Sequence, residues 1–260
     1  MTSSFLPITH AEALERGWEQ LDFVYIIGDA YVDHPSFGAA IISRVIESLG
    51  FSIGIISQPV ADRDYMEFGK PRYAFLVTGG NIDSMVAHYT AAKRRRSDDA
   101  YTPGGKAGRR PDRATIVYSR KLRQLYPDSN IVIGGLEASL RRFAHYDYWE
   151  DKVRRSILFD AQADILTYGM GERASVEILS RLASGTPVEE ITDVRGTCVA
   201  ARHPGVCAYP KVEVPSFEEV ATDKAAYARA NMTEYLEHDA VVGRAILQNC
   251  LLYTSPSPRD

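Results

Sequence analysis

Residues 23–38 read Phe23-Val24-Tyr25-Ile26-Ile27-Gly28-Asp29-Ala30-Tyr31-Val32-Asp33-His34-Pro35-Ser36-Phe37-Gly38, and the change of period inside this stretch decides the fold. The apolar run 23–27 is short and rich in β-branched and aromatic side chains, which predicts a buried strand. Gly28 breaks it. From Phe37 onward Ala39, Ala40, Ile42, Val45, Ile46 and Leu49 recur at helical spacing until Gly50 stops them, so the stretch is a strand-to-helix turn. In an open parallel sheet such turns lie at the carboxyl ends of the strands, where ligands bind, which would set Asp29, Asp33 and His34 beside any cleft. The same residues also suit a local role, since Asp and Ser cap helices and Pro35 and Gly38 make turns.

The pattern recurs along the chain. Residues 52–57, 73–77, 131–133 and 164–168 read as further strands, with helical periodicity over 84–92, 116–126 and 174–183. Four of the five strands end in glycine followed by an acid or amide: Gly28-Asp29, Gly80-Asn81-Ile82-Asp83, Gly135-Leu136-Glu137 and Gly171-Glu172. This alternation predicts an α/β fold with a doubly wound, mostly parallel five-stranded sheet. Turns gathered along one edge would bring Asp29, Asp33, His34, Asn81, Asp83, Glu137 and Glu172 to a shared cleft.

The α/β domain is expected over 21–200, after an N-terminal helix or extension (1–20) in which Ala11, Leu14 and Trp18 share a face. Residues 197–201 offer a last short strand, 204–214 are irregular, and 217–249 read as helical, so 201–250 is expected to be a helical extension or linker. The tail 251–260 contains Ser-Pro-Ser-Pro and does not continue the preceding helix; it reads as foreign sequence at a truncation. Residues 143–151, Phe-Ala-His-Tyr-Asp-Tyr-Trp-Glu-Asp, are either a rigid packed loop or a wall of the cleft. Residues 93–113 form a polar insertion with almost nothing apolar. It reads either as a solvated charged face or as an interaction loop for phosphate, RNA or protein.

Composition narrows the classes. The 260 residues carry a net charge of −4, with 45% hydrophobic and 10% aromatic residues, which fits a globular protein and argues against a generally basic nucleic-acid binder. No run approaches the ~18 apolar residues of a membrane span and no secretory leader is evident, so a cytoplasmic protein is expected. Cys198, Cys207 and Cys250 match neither zinc nor iron–sulfur spacings, and thiols are the expectation. Neither a Gly-x-Gly-x-x-Gly fingerprint, nor a phosphate loop, nor a Gly-x-Ser-x-Gly elbow occurs, so dinucleotide binding, NTP binding and serine hydrolysis have no motif support.

Several stretches taken together carry a resemblance. Gly28-Asp29-Ala30-Tyr31-Val32-Asp33-His34-Pro35-Ser36-Phe37-Gly38, Asp98-Asp99-Ala100-Tyr101-Thr102-Pro103-Gly104, Arg110-Pro111-Asp112-Arg113-Ala114-Thr115, the run from Gly134 to Trp149, and Gly169-Met170-Gly171-Glu172-Arg173 closely resemble the N-terminal region of the YgiQ family of radical S-adenosylmethionine (SAM) proteins. The resemblance covers roughly 20–200. It implies a domain similar to the cobalamin-binding (flavodoxin-like) fold, then a radical SAM barrel whose Cys-x3-Cys-x2-Cys holds a [4Fe–4S] cluster and SAM. This chain lacks that motif, so no cluster ligand is assigned and its expected partner is its own missing radical SAM domain, acting on an undefined substrate. Cobalt-ligating cobalamin domains carry Asp-x-His-x-x-Gly; here Asp33 abuts His34 and Gly38 lies one residue too far, which argues against cobalamin ligation.

Three functional readings stay open. The chain is the N-terminal part of a radical SAM iron–sulfur enzyme, supporting substrate or partner binding rather than catalysing alone. Alternatively it is a self-standing α/β module for a small polar or phosphorylated ligand, or cobalamin, or an interaction domain that holds RNA or protein through 93–113.

Overall fold

The computed structural model describes residues 5–201, 209–239 and 242–250, so Cys207 and the tail 251–260 lie outside the described residues. Thr9 and Glu12 cap each other's backbone to open α1 (His10–Glu15). A six-residue helix offers one turn to the core, and Ala13 fills it, whereas Ala11 and Leu14, expected on the packing face, are exposed. There follow β1 (Phe23–Ile27), α2 (Gly38–Ser48), β2 (Ile53–Ser57), α3 (Asp62–Tyr65), β3 (Ala74–Thr78), α4 (Ser84–His88), α5 (Ala114–Leu125), β4 (Asn130–Gly134) and α6 (Gly135–Ser139). Then come β5 (His145–Asp147), β6 (Lys152–Arg154), α7 (Ile157–Ala161), β7 (Ile165–Thr167), α8 (Glu172–Ala183), β8 (Thr197–Val199), β9 (Lys211–Val214), α9 (Phe217–Thr222), α10 (Lys224–Leu236) and β10 (Ala245–Gln248).

The main sheet has the order β2-β1-β3-β4-β7-β8. Its first five strands are parallel, with Phe23 opposite both Ile53 and Ala74, Ala74 opposite Asn130, and Val132 opposite Ile165. The sixth, β8, is the short strand expected over 197–201; it pairs antiparallel with β7 and widens the expected five-stranded sheet by one. Successive side chains of a strand face opposite sides. Val24, Ile26, Phe75, Val77, Ile131 and Ile133 accordingly join one core cluster with residues of α5 and α7. Phe23, Tyr25, Ile27, Ala74, Leu76 and Val132 join another with residues of α2 and α8. Burial on both faces is why these strands are continuous apolar runs.

Two compact units divide the chain: one is Met1–Arg142 with Ile157–Ala200, the other takes 143–156 and the described part of 201–260. In the second unit β5 and β6 form an antiparallel hairpin, and β9 pairs in parallel with β10, Lys211 opposite Ala245. Ala144, Val214, Val220 and Ala230 make its core. The stretch expected to be helical to 249 therefore ends in a strand. Four-residue strands carry too little periodicity to announce themselves, and the partner of β9 lies beyond two helices.

Candidate functional site

A cleft of about 370 Å³ opens at the carboxyl ends of β1, β3, β4 and β7, against α2 and α8. The strand order reverses between β1 and β3, so their following segments leave to opposite faces and a gap remains between them. Tyr25, Ile27, Leu76 and Val132 give the cleft apolar walls; Asp29, Asn81, Thr78, Thr167, Ser175 and Glu172 give it polar groups. Leu136 and Met170 line it with side chains that are also exposed, Met170 at 92%.

The glycines at the strand ends are there for close approach. A Cβ on Gly28 would collide with the carbonyl oxygen of Gly79, and one on Gly80, whose φ is +109°, would collide with Asp29 Oδ1. Asp29 is thereby packed against the switch point and is 3% exposed. Its Oδ2 accepts the Asn81 backbone N–H at 2.7 Å, while Oδ1 lies 3.1 Å from Nη2 of Arg110. That Nη2 donates to both oxygens of Asp99 at 3.1 Å, so the Asp29 contact is electrostatic and Oδ1 has no hydrogen-bond donor. Burial pushes the Asp29 carboxyl above the ordinary aspartate range; the Asn81 amide and the Arg110 charge pull it back only in part. Burial and the nearby Asp29 also push the Tyr25 phenol up, so it faces the cleft uncharged.

The seven residues expected at a shared cleft part company. Asp29, Asn81 and Glu172 line it. Asp33 and His34 line a second hollow with Arg44, where Arg44 pairs with Asp33 and Glu47, and His34 Nδ1 accepts the Ser36 N–H at 3.1 Å. Asp83 caps α4, accepting from Met85 and Val86, and pairs with Arg141. Glu137, 1% exposed, accepts the Ser84 N–H at 2.8 Å and the Thr115 N–H at 2.9 Å. It serves the first turns of α4 and α5 rather than the cleft. Since the Asp33–Arg44 pair is partly exposed, Asp33→Ala is expected to shift stability by less than about 1 kcal/mol, read as a urea midpoint. A loss of twice that size would show that the pair holds the 31–38 turn.

The insertion 93–113 is neither a solvated face throughout nor structureless. Residue 95 bridges Tyr89 and residue 106 bridges Asp98, both antiparallel, and Pro103–Gly105 forms a 3-10 turn. At its foot Asp99, Thr102 and Arg110 are 3%, 5% and 2% exposed. Arg110 also donates to the Gly79 carbonyl at 2.9 Å, and Gln58, with φ of +48°, donates to the Gly28 carbonyl and to Thr102 Oγ1. Sequence reasoning missed these residues; the one signal of a folded foot was Thr102-Pro103-Gly104-Gly105 inside the charged run.

Among the described residues no group of three or more His, Cys, Asp or Glu could hold a metal ion. No helix among them is long and apolar enough to cross a membrane.

Strand order, switch point and cleft together define a doubly wound α/β domain of the flavodoxin-like class. The chain belongs to the radical SAM N-terminal family, whose model matches residues 5–259. It is 53% identical over 246 residues to a UPF0313 protein of Clostridium botulinum, covering 94% of this chain and 38% of that protein. It is 55% identical over 229 residues to one of Geobacter sulfurreducens, covering 87% and 38%. The chain thus spans a little over a third of the length of these relatives. Among solved structures it is similar to the radical SAM methyltransferase TsrM of Kitasatospora setae, with a TM-score of 0.46 and 14% identity over 70% of this chain and 29% of that one.

Proposed function

We propose that this chain is the ligand-holding N-terminal domain of a longer radical SAM iron–sulfur protein, which presents a bound small molecule to chemistry carried by the remaining chain. The observation that supports this most is the cleft itself: apolar walls, a buried carboxylate with one oxygen that accepts no hydrogen bond, and a mouth at the ends of four parallel strands. The first turns of α2 and α8 border it, and neither N-cap residue, Phe37 or Gly171, supplies a side-chain cap. Their amides favour an anionic group, and Asp29 favours a hydroxyl donor, so the reading is a small phosphorylated or carboxylated ligand with an apolar body. [4Fe–4S] and SAM belong, in this reading, to the part of the protein beyond this chain. His34 is not among the residues lining the cleft, so ligation of a cobalt by His34 forms no part of the proposal.

Calorimetry of the chain against a panel of nucleotides, sugar phosphates and cobalamin tests the reading. A ligand that binds is expected to lose at least about tenfold in affinity, ~1.4 kcal/mol, on Leu136→Trp, which crowds the mouth, and on Asp29→Asn. Binding untouched by both substitutions, or no binding by any compound of the panel, would overturn it.

A further inference from the structure

The folded insertion carries a second surface that the cleft does not use. Eight of the chain's 30 Lys and Arg residues fall in 93–113, against three aspartates, on a chain whose net charge is −4. Arg110 is buried, but Lys93, Arg94, Arg95, Arg96, Lys106 and Arg109 are all exposed. Backbone pairing draws them onto one flap. Thr90 donates to the Arg94 carbonyl at 2.9 Å and Arg96 donates to that of His88 at 2.7 Å, while Asp99 donates to that of Gly105 at 3.0 Å. The segment from 94 to 99 is thus held between two neighbouring strips of backbone. The Arg95 guanidinium reaches to within 4.0 Å of where a Cβ on Gly108 would stand, which sets it against the backbone next to Arg109. Among the described residues no carboxylate lies within ion-pair distance of Arg94, Lys106 or Arg109.

We propose that this flap binds the sugar–phosphate backbone of a double-helical nucleic acid. Four of its six exposed cations are arginines, whose planar fork matches phosphate oxygens two at a time. A protein partner would ask for aromatic or aliphatic anchors. Between 91 and 113 no large apolar side chain is among the exposed ones, and Tyr89 and Tyr101 are half-buried. With no exposed ring to stack on bases, contact falls on the backbone of a duplex rather than on a single strand. Arg110 and Asp99, locked in the interior, hold the flap in shape before binding, so little ordering is left for the partner to drive.

Fluorescence anisotropy of the full chain with a labelled RNA hairpin, and with a DNA hairpin of the same sequence, tests the proposal and separates the two sources of backbone. With about five phosphates neutralised, affinity for the preferred duplex is expected to fall about 500-fold between about 50 and 200 mM salt. The triple variant Arg94→Glu/Arg96→Glu/Arg109→Glu is expected to cut the salt slope by about three. Arg94→Gln/Arg109→Gln, milder towards the fold, should cut it by about two, with circular dichroism unchanged in both. No binding to either hairpin at about 50 mM salt, a salt-insensitive affinity, or variants that bind as the parent does would overturn the proposal. So would polyglutamate competing as well as RNA, which would assign the flap to an acidic protein.

Discussion

Replacing Arg110 by Met is expected to destabilise the α/β unit by about 3–5 kcal/mol, because it leaves the buried carboxylates of Asp29 and Asp99 without their cation. The guanidinium also ties the Gly79 carbonyl to the flap, so the loss should appear both as a lower urea midpoint and as faster proteolysis within 93–113. Asp99→Asn in the same chain is expected to restore part of the loss by removing one uncompensated charge. The pH dependence has a defined sign. Asp29, pushed up by burial, binds a proton more tightly folded than unfolded, so its contribution to stability is greatest below the unfolded value of about 4 and declines as pH rises through its raised value. Without Arg110 an influence that lowers this value is gone and the decline steepens. The gap between Arg110→Met and the parent should therefore narrow as the pH is lowered towards 4. A gap independent of pH, or a loss under about 1 kcal/mol, would show that the carboxylates find other partners.

Glu137→Ala carries the second large effect, again about 3–5 kcal/mol. Each hydrogen bond to a buried charged acceptor contributes about 1.5–3 kcal/mol, and this carboxylate takes two, from Ser84 and Thr115. The N-cap of α5, Arg113, has φ of +53° and no side-chain cap, so the helix depends on Glu137 and on Ser84 Oγ, which accepts the Ala114 N–H at 3.1 Å. Glu137→Gln keeps one acceptor and should lose about half as much. Urea midpoints of both variants, with helicity from circular dichroism, check the ranking; a Gln variant as damaged as the Ala variant would show that charge, not hydrogen-bond acceptance, matters here.

These two side chains show where sequence reading stops. A strand that ends in Gly-Leu-Glu looks the same whether its acid faces a ligand or satisfies two backbone amides, because the amides come from residues 22 and 53 positions away. Arg110 follows Arg109, which is exposed; only the convergence of Gly79, Asp29 and Asp99 turns Arg110 inward. Asp33 and His34 belong to the same turn as Asp29, yet the turn carries them round to the second hollow.

The sequence by itself determined the α/β class, five of the six strands of the main sheet in their parallel arrangement, the helices α2, α5 and α8, and the resemblance that the family match bears out. Those features are written in local periodicity: strands buried on both faces must be apolar runs, and helices packed on one side must repeat their apolar positions every three or four residues. Tertiary structure alone decided which strand-end acids reach the cleft, that the charged insertion is a pinned flap, and that residues 211–214 and 245–248 pair. Each of those outcomes rests on contacts between residues far apart in the chain, where burial and hydrogen-bond satisfaction are properties of the assembled neighbourhood and not of any window of sequence.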